Sequence, residues 1–286
     1  MNPIASSLTF SPASAPVAAG AAPAAATASG AGSLAVAASG AAPRIGAPIP
    51  VEGTYNFRSP GGYAAAGGAI RTGSLFRSDA LHLLSPLGVE QFGAQGIARV
   101  IDLRDGRERL QAPSALAAGA VETIHHPIFE GAAIPTTGPA PTLREVYRTI
   151  ATDRVHALSG AVRLIADAPE GGVLVHCTAG KDRTGMVVAV ALASVGVSRD
   201  DVLADYAASA ANLAGAWVER MIAAAAERFP GPIDDAVREL IAASPAEALD
   251  EALDVIDDRY GSAERMLIAA GFDDDALARL RTRLVA

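Results

Sequence analysis

A chain of 286 residues, half of them hydrophobic, is long enough to bury a sizeable core as one large domain or two small ones. A formal net charge of −8 argues against a nucleic-acid partner or a generally basic membrane-surface protein, since both need clustered cations to meet phosphates. The single cysteine, Cys177, excludes an intramolecular disulfide and a cysteine-based metal cluster. No run of 18 uncharged residues rich in Leu, Ile, Val or Phe occurs, so no transmembrane segment is expected. The N-terminus has neither the Lys/Arg-rich start nor the Leu-rich core of a secretory signal. The expected location is the cytoplasm, with secretion without a recognisable signal left open.

Residues 1–43 contain no charge and are mostly Ala, Gly, Ser, Pro and Thr, so they read as a disordered tail before a domain covering 44–286. Thr54 to Tyr63 carries aromatics and then a Pro-Gly-Gly turn. Gly73 to Ser78 reads as a strand. Ser85 and Pro86 open a helix that should end near Gly96. Ala98 to Leu103 is a further strand, and the charged run Arg104–Arg109 reads as a solvated loop. Val121 to Ile128 is another strand, and the Gly/Pro/Thr-rich 129–141 a loop. Thr142 and Glu145 form a capping box. The helical period after it breaks between Ile150 and Val155, near Thr152 and Asp153, where either Asp153 caps a second helix or the buried face shifts. Strands alternating with helices predict an α/β layer, a sheet flanked by helices. Beyond Gly196 everything reads as helix: a segment capped by Ser198, then 212–229, 233–242, a run from Ser244 to Gly261, 263–270 and 274–285.

The chemistry concentrates between 173 and 185. Val173, Leu174 and Val175 form a buried-strand run, and Met186 to Val195 is apolar nearly all round, a buried helix. Between them Cys177 and Arg183 stand with five residues intervening. Lys181, in the same loop, is the only lysine in the chain. A thiol before a helix N-terminus, beside cations, ionises readily; such settings lower a cysteine pKa to about 3.5–7.5. The backbone N–H groups of Thr178 to Arg183 can curl round an oxyanion, with Thr178, Ala179, Gly180, Lys181 and Thr184 as the phosphate-binding residues, and Arg183 offers a planar fork for two phosphate oxygens. Those parts suit thiolate attack on phosphorus, a cysteinyl-phosphate intermediate and its hydrolysis by water. Thr184 can donate to the sulfur, and Lys181 adds charge for the phosphate. Asp182 in the loop, and Asp102 and Asp105 at the end of a strand that could neighbour it, are the candidate acids for protonating the leaving oxygen; Asp182 ranks first and Asp102 second. A lone Cys-x5-Arg spacing means little, and a lone buried cysteine is usually an apolar filler. Here the strand before, Gly180 within and the helix after outweigh that reading. A nucleotide P-loop fails, because Asp follows the Lys and Val175 stands where Gly is needed. His82 and His156 read as surface or packing residues, His125 and His126 as structural, and His176 as orienting the loop.

The stretch from His176 to Gly185 resembles the signature of the bacterial atypical protein-tyrosine and dual-specificity (lipid) phosphatases, which include a secreted mycobacterial enzyme. Asn56-Phe-Arg58 with Gly61-Gly62, Leu75 to Asp79, Ile101 to Arg104 and Asp257 to Gly261 match patterns of that family over roughly residues 50–285. Ser59-Pro60 stands where the family commonly has Asp-Leu. The resemblance implies a cysteine-phosphatase sheet with a C-terminal all-helical extension, and no cofactor or metal. It implies a hydrolase of phosphotyrosine, with phosphoserine, phosphothreonine and phosphoinositides as further substrates; the partner is then a phosphoprotein or phospholipid headgroup. By analogy residues 205–260 form a helical lid. The competing readings are a non-catalytic phospho-ligand binding module and a cysteine-based arsenate reductase or sulfurtransferase; the single cysteine argues against the reductase.

Overall fold

The computed structural model describes residues 46–129, 141–228, 233 and 235–286. The uncharged tail, most of the 129–141 loop and the Pro230–Pro232 helix stop lie outside the described residues.

β-Branched and aromatic runs supply the sheet. Strands β3 (Leu75–Ser78), β4 (Ile97–Asp102), β5 (Glu122–His125) and β6 (Gly172–His176) form a four-stranded sheet in the order β3-β6-β4-β5, every pairing parallel. A hairpin missing from the sequence reading, β1 (Ala64–Ala65) with β2 (Gly68–Ala69), precedes them. Parallel strands buried on both faces need apolar residues at successive positions, and the alternation then splits them between two cores. Leu75, Ile101, Val173 and Val175 face one cluster; Phe76, Val100 and Leu174 face the other, with Phe57, Phe92 and Leu81. Each such fully buried side chain contributes about 1.5–3 kcal/mol from leaving water.

The helices follow their caps. In α1 (Pro86–Gly93) the Ser85 hydroxyl accepts from Gly88 N–H, with Pro at the first turn. The helix α2 (Gly106–Gln111) corrects the solvated-loop reading of 104–109: Asp105 and Glu108 make a full capping box. The expected box at Thr142 and Glu145 starts α3 (Leu143–Asp153). The break in helical period is real, but Asp153 does not cap the next helix; Arg154, at φ −113° and ψ 19°, joins α3 to α4 (Val155–Ala166). The long helix α5 (Asp182–Ser194) is buried nearly all round under the sheet. Then come α6 (Arg199–Leu213), α7 (Ala216–Arg228), α8 (Asp235–Ala242), α9 (Ala246–Tyr260), α10 (Ala263–Ala269) and α11 (Asp274–Leu284). Asn212 and Leu213 thus belong to α6, and α7 starts at Ala216. The α9 helix stops at Gly261, whose φ of 87° suits glycine.

Within 205–260, α6 and α9 give Tyr206, Leu249, Leu253 and Ile256 to the main core. Helices α7 and α8 differ. Their Trp217, Val237 and Ile241 form a separate small cluster with Leu213, against which Tyr55 and Ala179 pack. Ala179 lies in the loop after β6, so this helix pair sits over that loop. Among the described residues no helix is long and apolar enough to cross a membrane.

Candidate active site

The β6 strand runs up the middle of the sheet and ends at His176; α5 begins at Asp182. The five residues between them turn the chain from strand to helix, with Cys177 first and almost fully buried. Gly180 makes the turn possible. Its φ is +64°, and a Cβ there would stand 2.2 Å from the Ser78 carbonyl oxygen.

The carbonyls of this loop are tied outward one after another. The Cys177 oxygen lies 3.2 Å from His176 Nδ1, which donates in the matching tautomer. Thr178 O accepts from Ala80 N–H at 3.1 Å. Ala179 O and Gly180 O accept from Asn56 Nδ2 at 3.0 and 3.1 Å. Arg77 Nη2 donates to Gly180 O at 2.8 Å and to Lys181 O at 3.4 Å. Each N–H in a planar trans peptide points opposite to the preceding carbonyl. Five outward carbonyls therefore turn the amides of Thr178 to Asp182 inward, into an anion-binding nest at a helix N-terminus.

The groups that hold the carbonyls are themselves held. Asp79 Oδ1 accepts from the Tyr55 and Asn56 backbone at 2.9 Å each, and burial pushes the Asp79 carboxyl up. Asp205, from α6, meets Arg77 Nη1 at 2.5 Å and Arg58 Nε at 3.4 Å, all three side chains being within about one per cent of complete burial. Burial opposes the Asp205 charge, but the two guanidinium groups outweigh it and lower its pKa. Arg58 is itself lowered to about 10, by burial and by Arg77. Two cations against one carboxylate leave a net positive charge behind the nest. None of Asn56, Arg77 and Asp205 was assigned a role from sequence.

Arg183 has an unexpected partner. Its Nη1 and Nη2 donate to Glu108 Oε2 and Oε1 at 2.6 and 2.7 Å. The Thr178 hydroxyl also donates to Glu108 Oε1. Burial disfavours the Arg183 cation, but the Glu108 hydrogen bonds and the nearby Cys177 sulfur outweigh that and raise its pKa. Glu108 answers in kind: against burial, Arg183 and Thr178 bring its carboxyl down to about 2. A bidentate pair fixes the plane of the guanidinium and uses only its outer nitrogens. The α2 capping box fixes Glu108 in turn, donating from Asp105 N–H to Glu108 Oε2 at 2.9 Å.

A folded pKa of about 2 lies below the ordinary 4.5, so the Glu108 contribution to stability is complete above pH 4.5 and lost as pH falls toward 2. Glu108→Gln should therefore unfold at a lower denaturant midpoint than the parent at pH 7. The two should converge as pH falls through that window. A gap that stays constant from pH 7 to 2.5 would exclude an ionised Glu108 as the cause.

Lys181 departs from its expected role as a phosphate donor. It is completely buried, and its Nζ donates to the Leu240 and Ala243 carbonyls, at 2.8 and 2.6 Å, at the C-terminal end of α8. Its third neighbour is Asp182 Oδ1 at 3.4 Å. The cation thus meets the negative end of a helix dipole and ties α8 to the loop.

Of the two candidate acids, Asp182 is part-exposed and opens α5, accepting at Oδ1 from the Tyr147 hydroxyl at 3.1 Å. Asp102 is buried and accepts from Arg104 through Oδ1 at 2.9 Å and Oδ2 at 2.8 Å. Burial opposes its charge, but Arg104 holds the pKa below the ordinary carboxylate value, the wrong direction for a proton donor. Arg104 is itself almost fully buried, which further corrects the solvated reading of its run. The Thr184 hydroxyl is fully buried with no hydrogen-bond partner among the described residues, the Cys177 sulfur included. His125 Nε2 lies 2.7 Å from Arg104 O and His126 Nε2 2.7 Å from Ala157 O. A groove of about 750 Å³ lined by Arg71, Glu170, Arg279 and Arg283 lies near the opposite ends of β3 and β6 and is no part of this site.

A thiol at a strand end, an inward nest and a fixed guanidinium match the likeness seen in the sequence, and comparison with known proteins agrees. The putative tyrosine-protein phosphatase H16_A0669 of Cupriavidus necator is 34% identical over 166 residues, covering 53% of this chain; the chain spans 59% of that protein. The triple specificity protein phosphatase PtpB of Mycobacterium tuberculosis is 29% identical over 270 residues, covering 80% of this chain and 96% of PtpB. The crystal structure of TpbA from P. aeruginosa overlaps 74% of this chain and 96% of its own, at 16% identity and a TM-score of 0.32, too low to carry an argument about the site. The family model described as the tyrosine phosphatase family matches residues 49–286, from just before Asn56 to the last residue of α11 and beyond, and the chain belongs to that family.

Proposed function

We propose that this chain hydrolyses phosphomonoesters through a cysteinyl-phosphate. Phosphotyrosine on proteins is the first substrate, and phosphoserine, phosphothreonine and phosphoinositide headgroups are further ones. The observation that carries the reading is the run of outward-tied carbonyls from Cys177 to Lys181, which builds an anion cradle around the one thiol. Cys177 Sγ attacks phosphorus. The amides of Thr178, Ala179, Gly180 and Lys181 and the Arg183 guanidinium take the equatorial oxygens, where transition-state charge is spread. Asp182 protonates the leaving oxygen, and Thr184 eases departure of the sulfur in the second step. The breadth of substrate is supported by the name of the M. tuberculosis relative alone. Helices α7 and α8, resting on Ala179, act as a cover that substrate must pass.

The test is turnover with a graded leaving group. Vanadate-sensitive hydrolysis of para-nitrophenyl phosphate is expected. Phosphotyrosine peptide, phosphoserine peptide and phosphoinositide vesicles, assayed side by side, rank the substrates. Asp182→Ala should cost about 10²–10⁴-fold on an alkyl phosphate and far less on the nitrophenyl ester, whose leaving group needs little protonation. Equal losses on both would remove Asp182 from the acid role. No turnover of any of them would leave a phospho-ligand binding module.

A further inference from the structure

Asp182 is not alone at the start of α5. Tyr147 reaches it from α3, and Tyr206 from α6 stands beside Tyr147 with ring centroids 5.7 Å apart in an edge-on arrangement. Both tyrosines are completely buried. Gly185, one turn into α5, leaves room for the Tyr206 ring; a Cβ there would come within 2.9 Å of Tyr206 Cδ2. Burial, with the Asp182 charge adding to it, pushes both phenols up, so both remain protonated at any working pH. The Tyr147 hydroxyl is therefore a permanent donor; it lies beside the Tyr206 hydroxyl and donates to Asp182 Oδ1.

We infer that Tyr147 is a positioning residue for proton transfer, one that confines the transferable proton of Asp182 to Oδ2; the inference rests on the acid role proposed above. A protonated carboxyl has one hydroxyl oxygen and one carbonyl oxygen, and only the carbonyl oxygen readily accepts along its lone pairs. Tyr147 donates to Oδ1 at 3.1 Å, and the Lys181 ammonium stands 3.4 Å from the same atom. A hydroxyl donor and a nearby cation at Oδ1 make it the carbonyl oxygen and leave Oδ2 to carry the hydrogen. As Cys177 Sγ bonds to phosphorus and the P–O ester bond breaks, that hydrogen passes from Oδ2 to the leaving oxygen. The electron pair of the broken bond stays with that oxygen, and Asp182 becomes a carboxylate. Oδ1 keeps the Tyr147 hydrogen bond throughout, so the transfer needs no rearrangement around it.

Tyr147→Phe keeps the ring and its contact with Tyr206 and removes only the hydroxyl. Turnover of an alkyl phosphate should fall about tenfold, the share of general-acid catalysis that depends on placing the acid. Turnover of para-nitrophenyl phosphate should fall less than about twofold. The ratio of the two rates, measured on one preparation, is unaffected by any fraction of inactive protein, so reduced stability cannot imitate the effect. In an Asp182→Ala background, Tyr147→Phe should change neither rate by more than about twofold, because a residue acting through a removed partner has nothing left to act on. Equal losses on both esters would overturn the proposal, as would a leaving-group bias that persists without Asp182. Failure of the underlying acid assignment reads separately: Asp182→Ala alone would then hit both esters equally.

Discussion

Cys177→Ser is expected to lower turnover of para-nitrophenyl phosphate by about four to six orders of magnitude, the scale on which loss of a nucleophile acts. The hydroxyl is nearly the size of the thiol, so the packing under the loop survives. What disappears is the thiolate nucleophile, which the far more weakly acidic alcohol does not replace. The cradle itself does not depend on sulfur. Its amides are turned inward by Asn56, Arg77 and the Ala80 N–H, and Arg183 is fixed by Glu108. Inorganic phosphate should therefore still raise the thermal midpoint of Cys177→Ser. Thermal shift with and without phosphate, beside a turnover assay, checks both halves. Residual turnover near the parent rate would place the nucleophile elsewhere.

The second large effect concerns folding. Asp205→Asn should destabilise the protein by about 3–5 kcal/mol, the cost of leaving buried charge uncompensated. Arg58 and Arg77 would lose their only shared carboxylate partner described here while staying sealed from water. An isosteric amide can accept from one guanidinium but cannot neutralise two. Because Arg77 also holds the Gly180 and Lys181 carbonyls, activity should fall along with stability. Urea unfolding monitored by Trp217 fluorescence measures the first, and kcat the second. Glu122→Gln is the contrast: it breaks the Arg99 pair on a strand edge where the Glu122 side chain is 48% exposed and solvent screens the pair, and it should cost far less than Asp205→Asn. If both variants cost the same, the Asp205 cluster carries no special share of stability.

The parts that could be read from sequence were those decided by neighbours in the chain. The caps at Ser85, Thr142 and Gly261 act over one helical turn, and the strand, glycine and helix around Cys177 act within about a dozen residues. Glu108 was missed because a run dense in Arg and acid suggests water. Its local signal was the Asp105–Glu108 capping box, which would have turned the loop into a helix and the carboxylate toward a fixed direction. Nothing local could pair it with Arg183, 75 positions away. Arg77 left a fainter trace: an arginine between Phe76 and Ser78 in a strand buried on both faces must find a carboxylate or carbonyls. That its carboxylate is Asp205, 128 positions further on, is set by tertiary packing alone. Lys181 shows the opposite error. Its isolation in composition pointed to the loop, and proximity in sequence suggested phosphate, but the end of α8 reached it first.

That placement gives the chain an unusual chemical silence. It has a single ε-amine, and that amine faces two carbonyls and a carboxylate inside the protein. Acylation needs an open approach to the nitrogen, and the docked helix denies it. No other side chain offers an amine to an activated ester. Covalent labelling at Lys181 therefore counts the moments when α8 lifts away from the loop. The residue that ties α8 to the loop also records when the two part.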